Sequence, residues 1–454
     1  MTPGTRRLPV LRWLRLAPLL ALLLAAQATD VAAQSLIRDA EIEQSLKRIA
    51  APLFRAAGVN ASRIDLLVVN DPSLNAFVVD GTTIFIHEGL IRRLPNVEML
   101  QSLIAHELAH ITSGHLVRRA LNMQDTRTAI GLGMLLGVVA ATATGRSDVG
   151  TGVMLGAASV AKRQFMAHTR AEATTADQIG TRYLIRAGIN PKAALDVMEI
   201  FRGQEALAVG RQDPYNRTHP LSRQRITTLK AVIATYGNRK TWPDVENAYW
   251  FSRMKAKFRG FVGNPAYILR HLDKNATDEF TRLTRAVALH REGKRDAAVR
   301  EMDRLIEKRP DDAYYHELKG QILLEGGDPK HAVALYRKAV SLAPREPLIL
   351  AGLGRAELAL GSRKATRQAL ADLRKARQMD PRDARMLRDL AIAWARNGNS
   401  GMASLVTAER YALLTRFKDA QTNAKRAAGL LPRGSAAWLR AQDLLAATKL
   451  ALRK

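Results

Sequence analysis

The spacing of apolar positions changes twice over the first hundred residues. Between residues 36 and 60, Ile42, Leu46, Ile49 and Leu53 recur at three- and four-residue intervals, which predicts a helix with one apolar stripe. Short apolar runs bounded by turn residues follow. Ile64 to Val69 reads as a strand, Asn70-Asp71-Pro72-Ser73 as a turn and Ala76 to Val79 as a second strand. Asp80-Gly81 is a hairpin signal and Thr82 to Ile86 a third strand. The expected result is a small antiparallel sheet, whose edge an extended peptide can join as a further strand. Helical spacing then returns in Leu100, Leu103, Ile104, Leu108 and Ile111, the stripe of a buried amphipathic helix.

Two later stretches have their own patterns. Ala129 to Ala143 and Val149 to Ala161 are rich in small apolar residues and are parted by Gly145-Arg146-Ser147-Asp148. Each arm is short for a bilayer. The alternatives are a buried helical hairpin packed through small residues, a lid over a site, or a membrane-touching loop. From about residue 277 the chain repeats itself: Gly293, Ala298, Pro310 and Gly320 recur 34 residues later as Gly327, Ala332, Pro344 and Gly354. This period, with small residues at helix contacts and Pro closing each unit, indicates tetratricopeptide repeats. Pro381 follows Pro344 by 37 residues, so a short insertion falls near Ser362–Thr366. Three to five helix pairs are expected, building a surface for a peptide or protein partner.

Composition narrows the chemistry. The 454 residues contain no cysteine, which excludes disulfides and thiolate metal sites. Arg6, Arg7, Arg12 and Arg15 precede an apolar run from Leu16 to Ala26, and small residues at Val31 and Ala33 suit cleavage before Gln34. Residues 1–33 thus read as a signal peptide, with an uncleaved anchor as the alternative, and they predict export to the periplasm of a Gram-negative-type envelope. The formal net charge is +28, and removing those residues takes away four Arg and Asp30, leaving +25. Such an excess favours anionic partners, among them acidic lipid headgroups or lipopolysaccharide. No nucleic-acid recognition motif accompanies it, so peripheral membrane contact is the expectation, with a solvated basic surface as the plain alternative.

The helix of residues 100–111 contains His106-Glu107-Leu108-Ala109-His110. Residues i and i+4 share a helix face, so both imidazoles can reach one Zn²⁺, while Glu107, about 100° round, faces the water to be activated. The alternative is a structural helix whose polar groups are satisfied within the protein. Zinc needs a third protein ligand, commonly a carboxylate on a second helix, with an Asp four residues later orienting a histidine. The segment Thr169-Arg170-Ala171-Glu172-Ala173-Thr174-Thr175-Ala176-Asp177 is the candidate. His115, five residues past His110 and about 140° off its face, is a weaker ligand candidate that reads first as a helix-end or supporting residue, and His87 and His168 read as surface or packing residues.

Together with Asn75-Ala76-Phe77, Glu88-Gly89-Leu90, Ala176-Asp177, Thr218-His219-Pro220-Leu221 and Arg225-Ile226, this motif resembles the gluzincin metallopeptidases of the CAAX prenyl endopeptidase type. The similarity is to their exported branch, which adds C-terminal tetratricopeptide repeats. It implies His106 and His110 as zinc ligands, Glu107 as general base, Asp177 behind a ligand histidine, and His219 as a loop residue that approaches the zinc in a resting state and contacts the oxyanion once displaced. The family pattern runs Ser/Thr-Arg-x-x-Glu-x-x-Ala-Asp, which puts Ala173 at the position of the third ligand and Glu172 one position early. Three outcomes are open: Glu172 ligates through a distorted turn, His219 completes the site, or the site holds little metal.

The expected architecture is an α+β zinc metallopeptidase domain, helical with a small antiparallel sheet, over residues 34–260, followed by an all-α repeat solenoid over 277–454. The resemblance implies an exported endopeptidase whose substrates are misfolded or stalled outer-membrane proteins and whose partner is the β-barrel assembly machinery. The rival is a non-catalytic adaptor or chaperone that retains the domain for binding, which Ala173 favours.

Overall fold

The computed structural model describes residues 36–78, 81–115, 171–207, 211–235 and 244–452. The expectations for residues 1–33, for 129–161 and for His168 lie outside these residues.

After a two-residue strand β1 (Leu36–Ile37), helix α1 spans Ala40–Ala57. The Asp39 carboxylate accepts from the Ile42 amide to start it, and Gly58 ends it at φ 68°, a left-handed closure that a Cβ would oppose. Strands β2 (Asp65–Val69), β3 (Ala76–Val78) and β4 (Thr83–His87) then complete a four-stranded sheet of order β1-β2-β4-β3.

The antiparallel expectation is corrected here. β2 pairs with β4 in parallel, Leu67 opposite Phe85, and only the β1–β2 and β3–β4 pairs are antiparallel. The turn at Asn70–Ser73 is no two-residue hairpin. It carries the chain past the neighbouring position, and β4 inserts between β2 and β3, leaving β3 at the edge.

Helices α2 (Glu88–Arg93) and α3 (Val97–Thr112) follow. α3 is buried on every side from Met99 to His110, so it is a central helix, not the amphipathic one its stripe suggested. The Gln101 side-chain NH2 donates to the Ile49 carbonyl at 3.2 Å, deep in the core. α1, the sheet, α3 and the helix of residues 171–186 share one apolar core. Short helices α4 (Lys192–Ile200) and α5 (Pro214–Thr218) and the longer α6 (Arg223–Thr235) pack beside them.

Helix α7 (Val245–Val262) packs on α1, α2 and α3, and also on the first helix of the repeats. Beyond α8 (Pro265–His271) come five antiparallel pairs: α9 (Glu279–Arg291) with α10 (Arg295–Lys308), α11 (Ala313–Glu325) with α12 (Pro329–Leu342), α13 (Pro347–Ala359) with α14 (Arg363–Met379), α15 (Ala384–Arg396) with α16 (Ser400–Leu413), and α17 (Phe417–Leu430) with α18 (Ala436–Ala451). Small residues set their spacing: a Cβ on Gly320 or Gly352 would strike the Tyr336 ring. The insertion expected near Ser362 is absorbed by α14, which has 17 residues where α12 has 14.

The two halves are joined by buried charge. Arg253 of α7 bonds Glu41 at the start of α1 and Asp312 at the start of α11, and lies over the Tyr315 ring at 4.0 Å. Lys257, one turn on, meets Asp39 at 2.8 Å and Glu41 at 3.2 Å. Farther along the repeats, Asp380 accepts from Arg38 at 2.5 Å and Arg382 pairs with Asp65 of β2. No helix among the described residues is long and apolar enough to cross a membrane.

Candidate metal centre

The helical spacing of His106 and His110 puts both rings on one side of α3, with Nε2 atoms 3.2 Å apart. Each Nδ1 is held from behind. His106 Nδ1 is 2.9 Å from Asp177 Oδ1, and His110 Nδ1 is 2.9 Å from His115 Nδ1. The rings are thereby turned so that the two Nε2 atoms converge. Two nitrogens bound to one tetrahedral zinc at 2.0–2.1 Å would lie about 3.3 Å apart, so the observed spacing fits a shared ion.

A third imidazole closes the group. His219 follows the short helix α5, its amide donating to the Tyr215 carbonyl at 2.8 Å. Its ring centroid is 5.0 Å from that of His106 and 5.3 Å from that of His110. A ligand atom from each of the three histidines lies within 4.8 Å of the other two, all in buried residues, and among the described residues this is the one group of metal-binding type. An all-nitrogen, neutral donor set suits Zn²⁺ and disfavours the oxygen-seeking Mg²⁺ and Ca²⁺. Glu107 points into the same space, with Oε1 3.7 Å from His219 Nε2.

Asp177 reaches His106 because the helix of residues 171–186 crosses α3 closely at Gly180. A Cβ there would sit 3.0 Å from the Ala105 carbonyl and 3.1 Å from the His106 nitrogen. One turn earlier, the Asp177 carboxylate receives two hydrogen bonds from Arg225, Nε at 2.8 Å and Nη2 at 2.9 Å. The remaining Nη1 of Arg225 donates to the carbonyls of His219 and Pro220, at 3.0 and 2.9 Å. Burial pushes the Asp177 carboxyl up, but Arg225 and the His106 ring together outweigh it, and the group is held below the usual carboxylate range. Asp177 is thus ionised behind the His106 ring.

Glu172 is buried on the same helix but does not belong to the three-histidine group. Ala173 is also buried, on the face that carries Ala176 and Asp177. His115 lies behind His110 as expected of a supporting residue. His87 is a packing residue: it is 2% exposed, and its Nδ1 lies 3.0 Å from Ser73 Oγ.

Two contributors had no clear signal in the sequence. Tyr215 stacks on His219 with ring centroids 4.6 Å apart and stands edge-on to His106. Burial and the nearby Glu107 push its phenol well above its ordinary value, so it stays neutral. Arg225 stands in the sequence only as part of the Arg225-Ile226 pair, and its grip on both Asp177 and the His219 loop emerges from the fold. Beside His106, Tyr215 and Asp177 lies a cavity of about 30 Å³, enough for one water.

Residues 37–233 match peptidase family M48, and residues 283–347 and 352–401 match the tetratricopeptide repeat. The chain is similar to the beta-barrel assembly-enhancing protease of Yersinia pestis, 24% identical over 333 residues, which are 72% of this chain and 67% of that one. The protein of the same name in Escherichia coli K12 is 24% identical over 68% of this chain and 63% of its own length. The mitochondrial metalloendopeptidase OMA1 of Schizosaccharomyces pombe is 26% identical over 212 residues, 46% of this chain and 57% of that one. The chain therefore spans about two thirds of the length of these two bacterial relatives. With the histidine group and Glu107 inside the matched segment, residues 37–233 form a metallopeptidase domain of family M48, carried in one chain with C-terminal tetratricopeptide repeats.

Proposed function

We propose that the protein is an exported, zinc-dependent endopeptidase of the gluzincin type, related to the CAAX prenyl endopeptidases. In this reading the peptidase domain covers about residues 34–260 and the repeats 277–454. It works in the periplasm on misfolded or stalled outer-membrane proteins, and the repeats bring it to the β-barrel assembly machinery. The observation that carries the reading is the convergence of His106, His110 and His219 beside Glu107. The bacterial relatives' names support the assembly context.

A zinc ion held by these nitrogens supplies Lewis acidity toward a scissile carbonyl and toward water. Glu107 takes the proton of the attacking water and passes it to the leaving amine. Asp177 holds the His106 ring in the tautomer whose Nε2 is free to ligate. The edge strand β3, which packs on α3, offers an extended peptide a partner for main-chain hydrogen bonds. His219 would be the third nitrogen of a resting site, with Glu172 as the alternative third ligand, and His219 would contact the oxyanion if displaced from the metal.

Zinc content and casein cleavage test this on the mature full-length protein and its variants. One zinc per chain, chelator-sensitive cleavage and loss of cleavage but not of zinc in Glu107→Gln support the peptidase. Zinc retained by Glu172→Ala and lost by His219→Ala would make His219 the main ligand, and the opposite pattern would make it Glu172. No zinc and no cleavage in the native chain, both restored by Ala173→Glu, would sink the reading in favour of a disabled protease that serves as an adaptor.

A further inference from the structure

Away from the histidines, the start of the repeats encloses a recess of about 520 Å³, formed by α8, the loop after it, α9 and α10. Lys274, Arg282, Arg285 and Arg304 line it against a single carboxylate, that of Glu301. Glu301 is only 7% exposed. Its Oε2 accepts from Arg282 Nη1 at 3.0 Å and from Arg285 Nη1 at 3.4 Å, and its Oε1 from Arg304 Nη1 at 3.0 Å.

One carboxylate cannot neutralise three guanidiniums. Backbone carbonyls hold the inner two in place without cancelling their charge. Arg282 Nε donates to the Thr277 carbonyl at 3.1 Å, and Arg285 Nη2 donates to those of Asp273 and Ala276 at 2.6 and 3.1 Å. Arg304 uses one N–H on Glu301 and leaves its side chain 53% exposed at the rim. The recess therefore concentrates positive potential on a chain that is already strongly basic.

Its other wall is apolar, from Leu269, Leu272 and Leu289. Guanidinium forks match the oxygens of a phosphate, and the leucines suit an alkyl group attached to it. Glu301 occupies, from inside the protein, the place that an external anion would share. We propose that this recess binds a phosphate group, carried by an anionic lipid headgroup or free in solution. The site is independent of the peptidase reading, since none of its residues touches the histidine group.

The test uses the full chain. Binding is followed by co-sedimentation with phosphatidylcholine vesicles with and without phosphatidylglycerol, and by calorimetry with inorganic phosphate. Arg304→Gln is expected to weaken binding about tenfold. Arg433→Gln, which removes an equal charge from an exposed loop outside the recess, should leave binding unchanged. Glu301→Gln is expected to tighten binding, because it removes the competing carboxylate, whereas a purely structural cluster would be weakened by it. Dependence on phosphatidylglycerol assigns the phosphate to a headgroup, and binding of inorganic phosphate alone assigns it to a soluble ligand. Equal losses in Arg304→Gln and Arg433→Gln, weaker binding in Glu301→Gln, or no binding of either probe would overturn the proposal.

Discussion

Arg225 grips both oxygens of Asp177, at 2.8 and 2.9 Å, while its third nitrogen holds the carbonyl of His219. A single guanidinium thus ties the carboxylate behind the His106 ring to the loop that presents His219. Arg225→Lys keeps the charge but cannot reproduce the fork. It should weaken zinc binding about tenfold, and Asp177→Asn should weaken it roughly 10–100-fold. Competition against a chromophoric chelator measures both. Native affinity in Asp177→Asn would mean that the carboxylate does not set the His106 ring.

Gly180 determines whether Asp177 can reach that ring. Any side chain there meets the backbone of Ala105 and His106, which has no rotamer to yield. Gly180→Val should push the helix of residues 171–186 away from α3, at a cost of about 1–3 kcal/mol and with reduced zinc content. Urea unfolding and metal analysis of the variant report the two effects. A variant with native stability and zinc content would show that the crossing tolerates expansion.

The convergence of His106 and His110 was legible because it is local: the two share a helix face by periodicity alone. Asp177 and His219 were legible only through resemblance, since nothing in their own segments says that they meet α3. Tyr215 and Arg225 lie only four and six residues from His219, but their own segment does not say that it meets α3, and the Arg225–Asp177 pair joins residues 48 apart in sequence. The sheet order failed for the same reason, because the apolar run of β2 does not record that β4 is its neighbour. Nothing in the sequence around Arg253 and Lys257 marks them as buried. Only the arrival of α1 and α11 on either side of α7 makes them interior.

That interior charge leads to a prediction about the junction. Arg253 is 1% exposed and serves Glu41 and Asp312 at once, so Arg253→Met leaves carboxylates buried without their main partner. Removing one member of such a buried set costs about 3–5 kcal/mol, more than the packing of the replacement returns. The urea midpoint should fall accordingly. A loss below about 1 kcal/mol would mean that Lys257 and solvent compensate, and that the junction is held by its apolar contacts instead.

Glu346, just before α13, gives the stability a pH dependence. It is 8% exposed, and its Oε1 has no hydrogen-bond partner among the described residues. Burial, helped by Glu43 and Asp39 and opposed by Lys47 and Arg38, pushes its carboxyl from 4.5 up to about 7. The folded state therefore binds this proton more tightly than the unfolded state does. The stability linked to it is fully present below about pH 4.5 and is lost as pH rises through about 7. Glu346→Gln removes the ionisation and keeps the shape. It should be more stable than the native protein at about pH 8 by on the order of 2 kcal/mol, with a smaller difference at about pH 5. Urea midpoints for both proteins at the two pH values measure this. A difference that does not change with pH would show that Glu346 ionises normally in the folded chain.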